Sequence, residues 1–322
     1  MRNKLDWRRA VVSHAEQIAD EVKLLEFAVE GNVPRFDPGS HSNFRVSLGS
    51  GEAIRTYSCL PAAPGHIRIA VKRHDNSRGG SRFMWTLEPG KTIALTIPEN
   101  RFELAWRAPY YLLMAGGIGI TPIYGMALAL QQRGIPFRLV YGGRTRGVMA
   151  FADGLESQLP DQVVVHAGDA GQRIDVAAEI ANLPADGELY VCGPIAMLNS
   201  VKAAWQAAGR PMGRLRYEVF GDSGLYAEAP FQVAVQGLDR TVDVRADQTL
   251  LEALLGAGVE MIYDCQRGEC GLCAVEIISH DAPIDHRDVF FSEAEKADGK
   301  RMCACVSRLA EGQAVIDVGY RA

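Results

Sequence analysis

The sequence predicts a multidomain protein in which an antiparallel β-barrel comes first, an α/β domain with a parallel sheet follows, and an α+β domain ends the chain. Three observations lead to this prediction. The 322 residues exceed the size of one ordinary domain. The rhythm of apolar segments changes twice, and three of the seven cysteines fall within nine residues of the last third. The predicted domains span residues 1–105, 106–224 and 225–322.

The composition, with 48% apolar and 23% charged residues, is typical of a globular protein. A net charge near −5 offers no basic face for a phosphate backbone, so we expect no nucleic-acid partner. The basic N-terminus, MRNKLDWRRA, is followed by no apolar segment, which argues against a secretory signal and favours the cytoplasm.

One uncharged segment, residues 108–132, is long enough to cross a bilayer. Three glycines and a proline divide it into a short strand, a tight loop and a helix, so we expect no membrane association.

The first domain is predicted from short apolar segments that alternate with turn residues, as in an antiparallel barrel. The predicted strands are VKLLEFAVEG, GSHSNFRVSL, AIRTYSCL, HIRIAVKRH and TIALTIPENRFEL.

From about residue 110 to 220 strands alternate with helices, which predicts a parallel sheet flanked by helices. The pairs are YYLLMA with PIYGMALALQQRG, FRLVYGG with AFADGLESQL, and ELYVCG with AMLNSVKAAWQAAG. The segment GDSGLYAEAP then reads as a linker, and two strands and the helix QTLLEALLGAG open the third domain.

The segment DCQRGECGLC places Cys265, Cys270 and Cys273 in C-x4-C-x2-C spacing, with Gly268 and Gly271 between them. Completed by a distant fourth cysteine, this is the plant-type [2Fe–2S] spacing. A structural zinc site usually shows two C-x2-C pairs, and buried free thiols would not concentrate in a polar, glycine-rich loop. Residues 250–317 resemble a plant-type ferredoxin domain, which has a β-grasp fold.

The fourth ligand is Cys303 or Cys305, both in the segment MCACVSR. The loop from Cys273 holds 29 or 31 residues, and loop entropy separates the two by only about 0.06 kcal/mol. Residues two apart in a strand share a face, so strand geometry leaves the choice open.

The segment MAGGIGITPI lies between an apolar strand and a helix, where backbone amides can face a negative ligand. With VYGGRT and YVCGPIAM on later strands, it resembles the nicotinamide domain of the ferredoxin–NADP reductase superfamily. In that family the two loops flank the nicotinamide and its pyrophosphate. The resemblance implies binding by Gly116, Gly117, Gly119, Thr121, Pro122, Cys192, Gly193 and Pro194.

The barrel segment RTYS matches the R-x-Y-S flavin motif of the same superfamily. The resemblance implies that Arg55 pairs with the charge of the flavin phosphate, that Tyr57 packs on the flavin, and that Ser58 forms a hydrogen bond with its ring. An exposed arginine beside a half-buried tyrosine is the alternative. A second match, RGGSRFMW with IAVK before it, would offer helix-start amides to a phosphate. The flavin-binding residues so implied are Arg55, Thr56, Tyr57, Ser58, Ala70, Val71, Gly79, Gly80 and Ser81.

The full chain resembles the phthalate dioxygenase reductase family, in which an FMN domain, an NADH domain and a ferredoxin domain follow in this order. This implies FMN rather than FAD. The segment RYEVFG, with Glu218 and Phe220, resembles the junction where an aromatic ring approaches the flavin. The family places its fourth cluster ligand in the context of CVSR, ten residues before Val315, so the resemblance favours Cys305.

NADH is favoured over NADPH because VVVHAGDAGQRID offers Asp169 and Asp175 rather than a cluster of basic residues for a 2′-phosphate. Arg173 in the same segment argues the other way.

The implied reaction is hydride transfer from NADH to FMN, two one-electron steps to the cluster, and delivery to a partner protein. Thr121, Cys192 and Phe220 are expected at the place of hydride transfer, where they position and tune rather than react. The family's usual acceptor is a terminal Rieske-type oxygenase that acts on an aromatic or similar small molecule. The alternatives are a different acceptor protein, and a redox sensor that holds flavin and cluster without turnover.

Overall fold

The computed structural model describes residues 5–49, 51–74, 79–220, 225–238 and 240–319. The chain forms two compact units, residues 1–218 and residues 219–322. The first unit contains an antiparallel and a parallel sheet, and the second contains a mixed sheet and a two-stranded ribbon.

The first sheet is antiparallel, with strand order β4-β3-β6-β1-β2-β5 and β7 paired with β3. A bridge between Leu60, just beyond β4, and Arg68 of β5 joins the two ends of this order. The predicted antiparallel barrel is therefore confirmed. A short helix, α1 (Gly80–Trp85), follows β5. The strands are β1 (Trp7–Ala19), β2 (Val22–Val29), β3 (Ser40–Leu48), β4 (Gly51–Ser58), β5 (His66–Lys72), β6 (Thr92–Thr96) and β7 (Glu99–Asn100).

Strand β1 is absent from the sequence-based strands because its apolar pattern is weak. Of its 13 residues only Ala10 and Val12 are buried. The strand pairs with both β2 and β6, so its backbone hydrogen bonds on two sides define it. Tertiary pairing here overrides the local pattern.

The second sheet is entirely parallel, with strand order β10-β9-β8-β11-β12, as predicted. The order reverses between β8 and β11, whose residues are all buried. Ligands of open α/β sheets bind beyond the carboxyl ends of the strands at such a reversal. The strands are β8 (Tyr111–Gly116), β9 (Phe137–Gly143), β10 (Val163–Ala167), β11 (Glu188–Cys192) and β12 (Leu215–Glu218). The helices are α2 (Ile120–Gln132), α3 (Ala152–Gln158), α4 (Val176–Asn182) and α5 (Ile195–Ala207).

A small apolar cluster joins the barrel to the parallel sheet within the first unit. Leu60 and Ala70 of the barrel pack with Ala150, and Ile118 and Phe151 pack against them. The cluster brings β5 beside the turn that follows β8. The carboxyl edge of the parallel sheet therefore faces the barrel.

The second unit contains a mixed sheet of strand order β14-β13-β19-β15-β17, in which β13 and β19 are parallel and the other pairs antiparallel. Helix α6 begins with a capping box formed by Thr249 and Glu252. This arrangement confirms the predicted α+β ferredoxin domain. The strands are β13 (Phe231–Val235), β14 (Arg240–Val244), β15 (Ala274–His280), β16 (Ile284–Asp285), β17 (Arg301–Cys303), β18 (Arg308–Leu309) and β19 (Gln313–Asp317). The helices are α6 (Leu250–Gly256) and α7 (Glu293–Asp298).

Among the described residues, no helix combines the length and apolarity that a bilayer crossing requires. The uncharged segment at 108–132 is divided into β8, a one-turn helix (Gly117–Gly119) and α2.

Candidate functional site

The two glycine-containing loops predicted to flank the nicotinamide meet at the reversal between β8 and β11. A Cβ atom on Gly116 would lie 2.6 Å from Pro194 Cδ. One on Gly119 would overlap the carbonyl oxygen of Cys192 and lie 2.8 Å from the Gly193 nitrogen. Both positions need glycine because the two backbones touch. Residues that are far apart in sequence thus form one cradle.

Thr121 and Cys192 are both buried in this cradle. The Thr121 hydroxyl donates to the Ile118 carbonyl oxygen at 3.0 Å, and the residue is 3% exposed. The Tyr141 hydroxyl donates to the Gly117 carbonyl oxygen at 3.2 Å. These hydrogen bonds fix the shape of the loop. Cys192 is fully buried at the end of β11.

The flavin motif and the glycine-glycine-serine loop also meet. The Arg55 side chain lies across Gly80, where a Cβ atom would be 2.7 Å from Arg55 Cγ. Gly79, at φ +84°, adopts the left-handed conformation that starts α1. The Ser81 hydroxyl accepts from the His74 amide at 3.2 Å. The structure therefore brings a guanidinium beside the start of a helix.

The remaining flavin-motif residues are held by the barrel. The Thr56 hydroxyl donates to Asn43 Oδ1 at 2.7 Å, and Tyr57 packs edge-on against Phe44 at 5.6 Å between ring centroids. Ser58 is buried, as are Ala70 and Val71 of β5, which lies beside the turn after β8.

Glu218 is a residue that the sequence analysis named in a motif but did not assign to the site. It is 2% exposed and faces Cys192 in the register of β11 and β12. Its carboxylate also affects the thiol of Cys59. Burial raises the pKa of Cys59 to about 12; the hydrogen bond with Ser42 lowers this pKa, and the negative charge of Glu218 raises it further. Its position in the RYEVFG motif was the signal available in the sequence, because the pairing of β12 with β11 is visible only in the structure. Phe220, half-buried, belongs to the second unit.

The two aspartates considered for the adenosine ribose have different surroundings. Asp175 caps α4 by accepting from the Ala178 amide at 3.0 Å, so its carboxylate has a structural role. The exposed Asp169, beyond β10, accepts from the Arg146 amide at 3.2 and 3.3 Å. Asp169 lies just beyond the carboxyl end of β10, the edge at which such sheets bind ligands, so it stays the better candidate for the ribose.

The cysteine loop of the second unit curls through several left-handed residues. Gln266, Gly268 and Gly271 have φ values of 53°, 74° and 71°. A Cβ atom on Gly268 would lie 2.6 Å from Val306 Cγ2, and one on Gly271 would overlap the Phe290 ring. The glycines therefore let the loop pack closely against the chain segments that follow it.

The thiols of this loop converge with those of the MCACVSR segment. Cys265 is hydrogen-bonded to Cys305 and also interacts with Cys270, and Cys273 is hydrogen-bonded to Cys303 and Cys305. The Arg267 and Glu269 amides point at Cys265 Sγ from 3.4 and 3.5 Å.

The protonation of these thiols follows from their crowding. The Cys305 thiol, helped by backbone amides, lowers the pKa of Cys265 to about 4. Cys303 and Cys305 lower the pKa of Cys273 to about 3. The pKa values of Cys303 and Cys305 are raised, because each thiol donates its proton in a hydrogen bond to a neighbouring sulfur. Burial raises the pKa of Cys270 as well, so Cys265 and Cys273 are the two thiols that favour the thiolate form in this structure. Thiolates are the form that binds iron, and four thiols gathered in this way are the donor type of an iron–sulfur cluster.

A buried carboxylate supports the loop from outside. Asp288 accepts from the Ser307 hydroxyl at 2.9 Å and from the Phe291 amide at 3.0 Å, and the Val289 amide donates to the Gly268 carbonyl oxygen at 3.0 Å. Burial opposes ionisation of Asp288, but its hydrogen bonds, including one with His286, hold its pKa below the usual range.

Comparisons with known proteins agree with this arrangement. Residues 233–310 match the 2Fe-2S iron-sulfur cluster binding domain family. Residues 113–203 match the oxidoreductase NAD-binding domain family, and they include both loops of the nucleotide cradle.

Two curated relatives match nearly the whole chain. The phenoxybenzoate dioxygenase subunit beta of Ectopseudomonas oleovorans is 35% identical over 93% of this chain and 94% of its own length. The vanillate O-demethylase oxidoreductase of Acinetobacter baylyi is 31% identical over 96% of this chain and 98% of its own.

Among solved structures, phthalate dioxygenase reductase, described as modular for electron transfer from pyridine nucleotides to [2Fe–2S], superposes with a TM-score of 0.81. It is 30% identical and covers 97% of this chain and 98% of its own. Because the similarity extends over all three domains, the chain belongs to the phthalate dioxygenase reductase family.

Proposed function

We propose that the protein passes electrons from NADH through FMN and a [2Fe–2S] cluster to a terminal Rieske-type oxygenase that acts on an aromatic or similar small molecule. One observation carries the proposal. Strand β5, part of the proposed flavin site, lies beside the Gly117–Gly119 turn of the nucleotide cradle in the same compact unit. The sites for a hydride donor and its acceptor therefore adjoin.

The cofactors of the chain are NADH, FMN and a [2Fe–2S] cluster, and the first two fit the first unit. Bound flavin accepts two electrons together and releases them singly, which joins a nicotinamide to a one-electron cluster. Arg55 and the amides of Gly80 and Ser81 would hold the phosphate, and Tyr57 and Ser58 would hold the ring system. The similarity to phthalate dioxygenase reductase supports FMN rather than FAD.

The nucleotide cradle positions the nicotinamide. The loops that end in Gly119 and Cys192 would bind the pyrophosphate and nicotinamide, and Asp169 would accept from the adenosine ribose. Thr121 and Cys192 give the cradle its shape and exclude water, and Glu218 places a carboxylate beside Cys192. Hydride transfer requires no side-chain acid or base, so these residues position the reactants. Phe220 stays a proposed site residue, on the basis of the family resemblance alone.

The cluster would be held by Cys265, Cys270, Cys273 and Cys305. Support for Cys305 comes from its hydrogen bonds with both Cys265 and Cys273. The amides of Arg267 and Glu269 would stabilise negative charge on Cys265. Cys303 would be a structural thiol at the end of β17.

The acceptor is inferred from the relatives. Both carry the names of dioxygenase or demethylase systems, and this chain matches 94% and 98% of their lengths. We therefore propose an oxygenase component as the partner and the cytoplasm as the location.

The experiment is reduction of cytochrome c by the purified protein, loaded with FMN and cluster, at the expense of NADH. We expect turnover that disappears in Cys270→Ser, while NADH still reduces ferricyanide through the flavin. A fully loaded protein that oxidises NADH with neither acceptor is a sensor rather than a reductase. Reconstitution with candidate oxygenases then tests the proposed partner.

Gly80→Ala is expected to weaken FMN binding by about tenfold, since the new methyl group would displace Arg55 from the start of α1 and remove a charge-assisted hydrogen bond. The recovery of flavin fluorescence on dilution measures the dissociation constant. Gly49→Ala is the control, because no atom lies within 4 Å of its Cβ position. Equal FMN affinity in Gly80→Ala and the native protein would contradict the phosphate role of Arg55.

A further inference from the structure

Arg146 lies next to the proposed ribose site. It follows the carboxyl end of β9, and its amide donates to the Asp169 carboxylate at 3.2 and 3.3 Å. The Arg146 guanidinium is therefore anchored one side-chain length from the carboxylate proposed for the adenosine ribose. An arginine at such a place is what accommodates the 2′-phosphate of NADPH.

The Arg146 guanidinium forms ion pairs with two carboxylates of α3, those of Asp153 and Glu156. Its Nε donates to Asp153 Oδ1 at 3.2 Å, and its Nη2 bonds both Asp153 and Glu156. The Arg146 side chain is 38% exposed, so the group sits at the surface where a nucleotide can reach it.

The neighbouring charges add to the effect. Asp153 and Glu156 place two carboxylates on the Arg146 guanidinium, and Asp169 places a third at the Arg146 backbone amide. Arg144 is partly offset by Glu21 at 3.5 Å, and Arg173 is exposed on the loop after Asp169. A 2′-phosphate with nearly two negative charges would meet carboxylates where it needs donors.

We propose that Asp153 and Glu156 set the preference of this protein for NADH over NADPH, by occupying Arg146 and by repelling a 2′-phosphate. The inference rests on the proposed function and assigns its coenzyme selectivity to residues that do not touch NADH. Arg146 is thus a latent phosphate ligand, and the acidic pair of α3 keeps it from the nucleotide.

The test is the double variant Asp153→Asn with Glu156→Gln, titrated calorimetrically with 2′,5′-ADP and with 5′-ADP. We expect the affinity for 2′,5′-ADP, relative to that for 5′-ADP, to be about tenfold higher in the double variant than in the native protein. This is the effect of one additional charge-assisted hydrogen bond from Arg146. The ratio of kcat/KM for NADPH to that for NADH should rise by a similar factor.

Two further variants decide the cause. Adding Arg146→Ala to the double variant should remove most of the gain and leave only the part that comes from relieved repulsion. A gain retained in full would assign the 2′-phosphate to another group, such as Arg173, and overturn the proposal. Glu179→Gln is the matched control, since it breaks an equivalent ion pair with Arg138 near the other end of β9. A change of selectivity in this control would also overturn it.

The outcomes separate this inference from the proposed function. A native protein that oxidises NADH, beside a double variant with unchanged preference for 5′-ADP, refutes only the role of the acidic pair. A native protein that binds neither nucleotide and oxidises no NADH refutes the proposed function.

Discussion

Cys305→Ser should abolish the visible absorption of the [2Fe–2S] cluster, while Cys303→Ser should leave it nearly intact. Cys305 interacts with both Cys265 and Cys273, so its sulfur lies close to two of the other proposed ligands. Cys303 ends β17 and pairs with Ala274, so the sheet fixes its position. A serine at 305 removes a thiolate from the donor set, and hydroxyls are poor ligands for this metal centre.

The measurement is the visible and circular dichroism spectrum of each purified variant, with iron and sulfide assayed per FMN. Retained flavin in Cys305→Ser shows that the first unit is folded, and a native far-ultraviolet circular dichroism spectrum shows that the second unit is folded too. Loss of iron with both intact then reports on the ligand. An intact cluster in Cys305→Ser together with iron loss in Cys303→Ser would make Cys303 the ligand.

Gly119→Ala should slow flavin reduction by NADH about a hundredfold, because the methyl group would overlap the Cys192 carbonyl oxygen and force the two loops of the cradle apart. Displacements of about 1 Å in a bound reactant have effects of this size on rate. Overpacking of this kind also destabilises by about 1–3 kcal/mol.

Stopped-flow absorbance of the flavin at saturating NADH gives the rate, and thermal unfolding gives the stability of the same sample. Gly213→Ala is the control, since its Cβ position has no atom within 4 Å and its φ is not positive. Native rates of reduction in Gly119→Ala would show that the contact between the loops does not position the nicotinamide.

The features that the sequence predicted best are those with a local physical cause. Alternation of strands and helices, cysteine spacing and glycines at close backbone contacts all leave marks within short windows. The roles of Gly119 and Gly268 could be predicted without the tertiary structure, because glycines in a loop indicate that another part of the chain packs closely against it.

The features that it missed depend on partners distant in the chain. Strand β1 is defined by two neighbours and not by its own apolar pattern. Glu218 enters the site through the register of β12 with β11. Asp175 resembled a ribose ligand in sequence, but its carboxylate caps α4. The ion pairs of Arg146 join residues seven and ten positions away around a turn, with no motif to mark them.

The separation of Cys305 from the cysteine loop has a consequence for how the protein matures in the cell. Strands β15 to β17 and helix α7 lie between Cys273 and Cys305, and the pairing of β17 with β15 is what brings the last thiol to the cysteine loop. Iron and sulfide delivered to a nascent chain would meet three thiols at most. We therefore expect the four ligands to be complete only in a folded second unit. A protein made under iron limitation is then expected to accumulate with its flavin bound and its cluster missing.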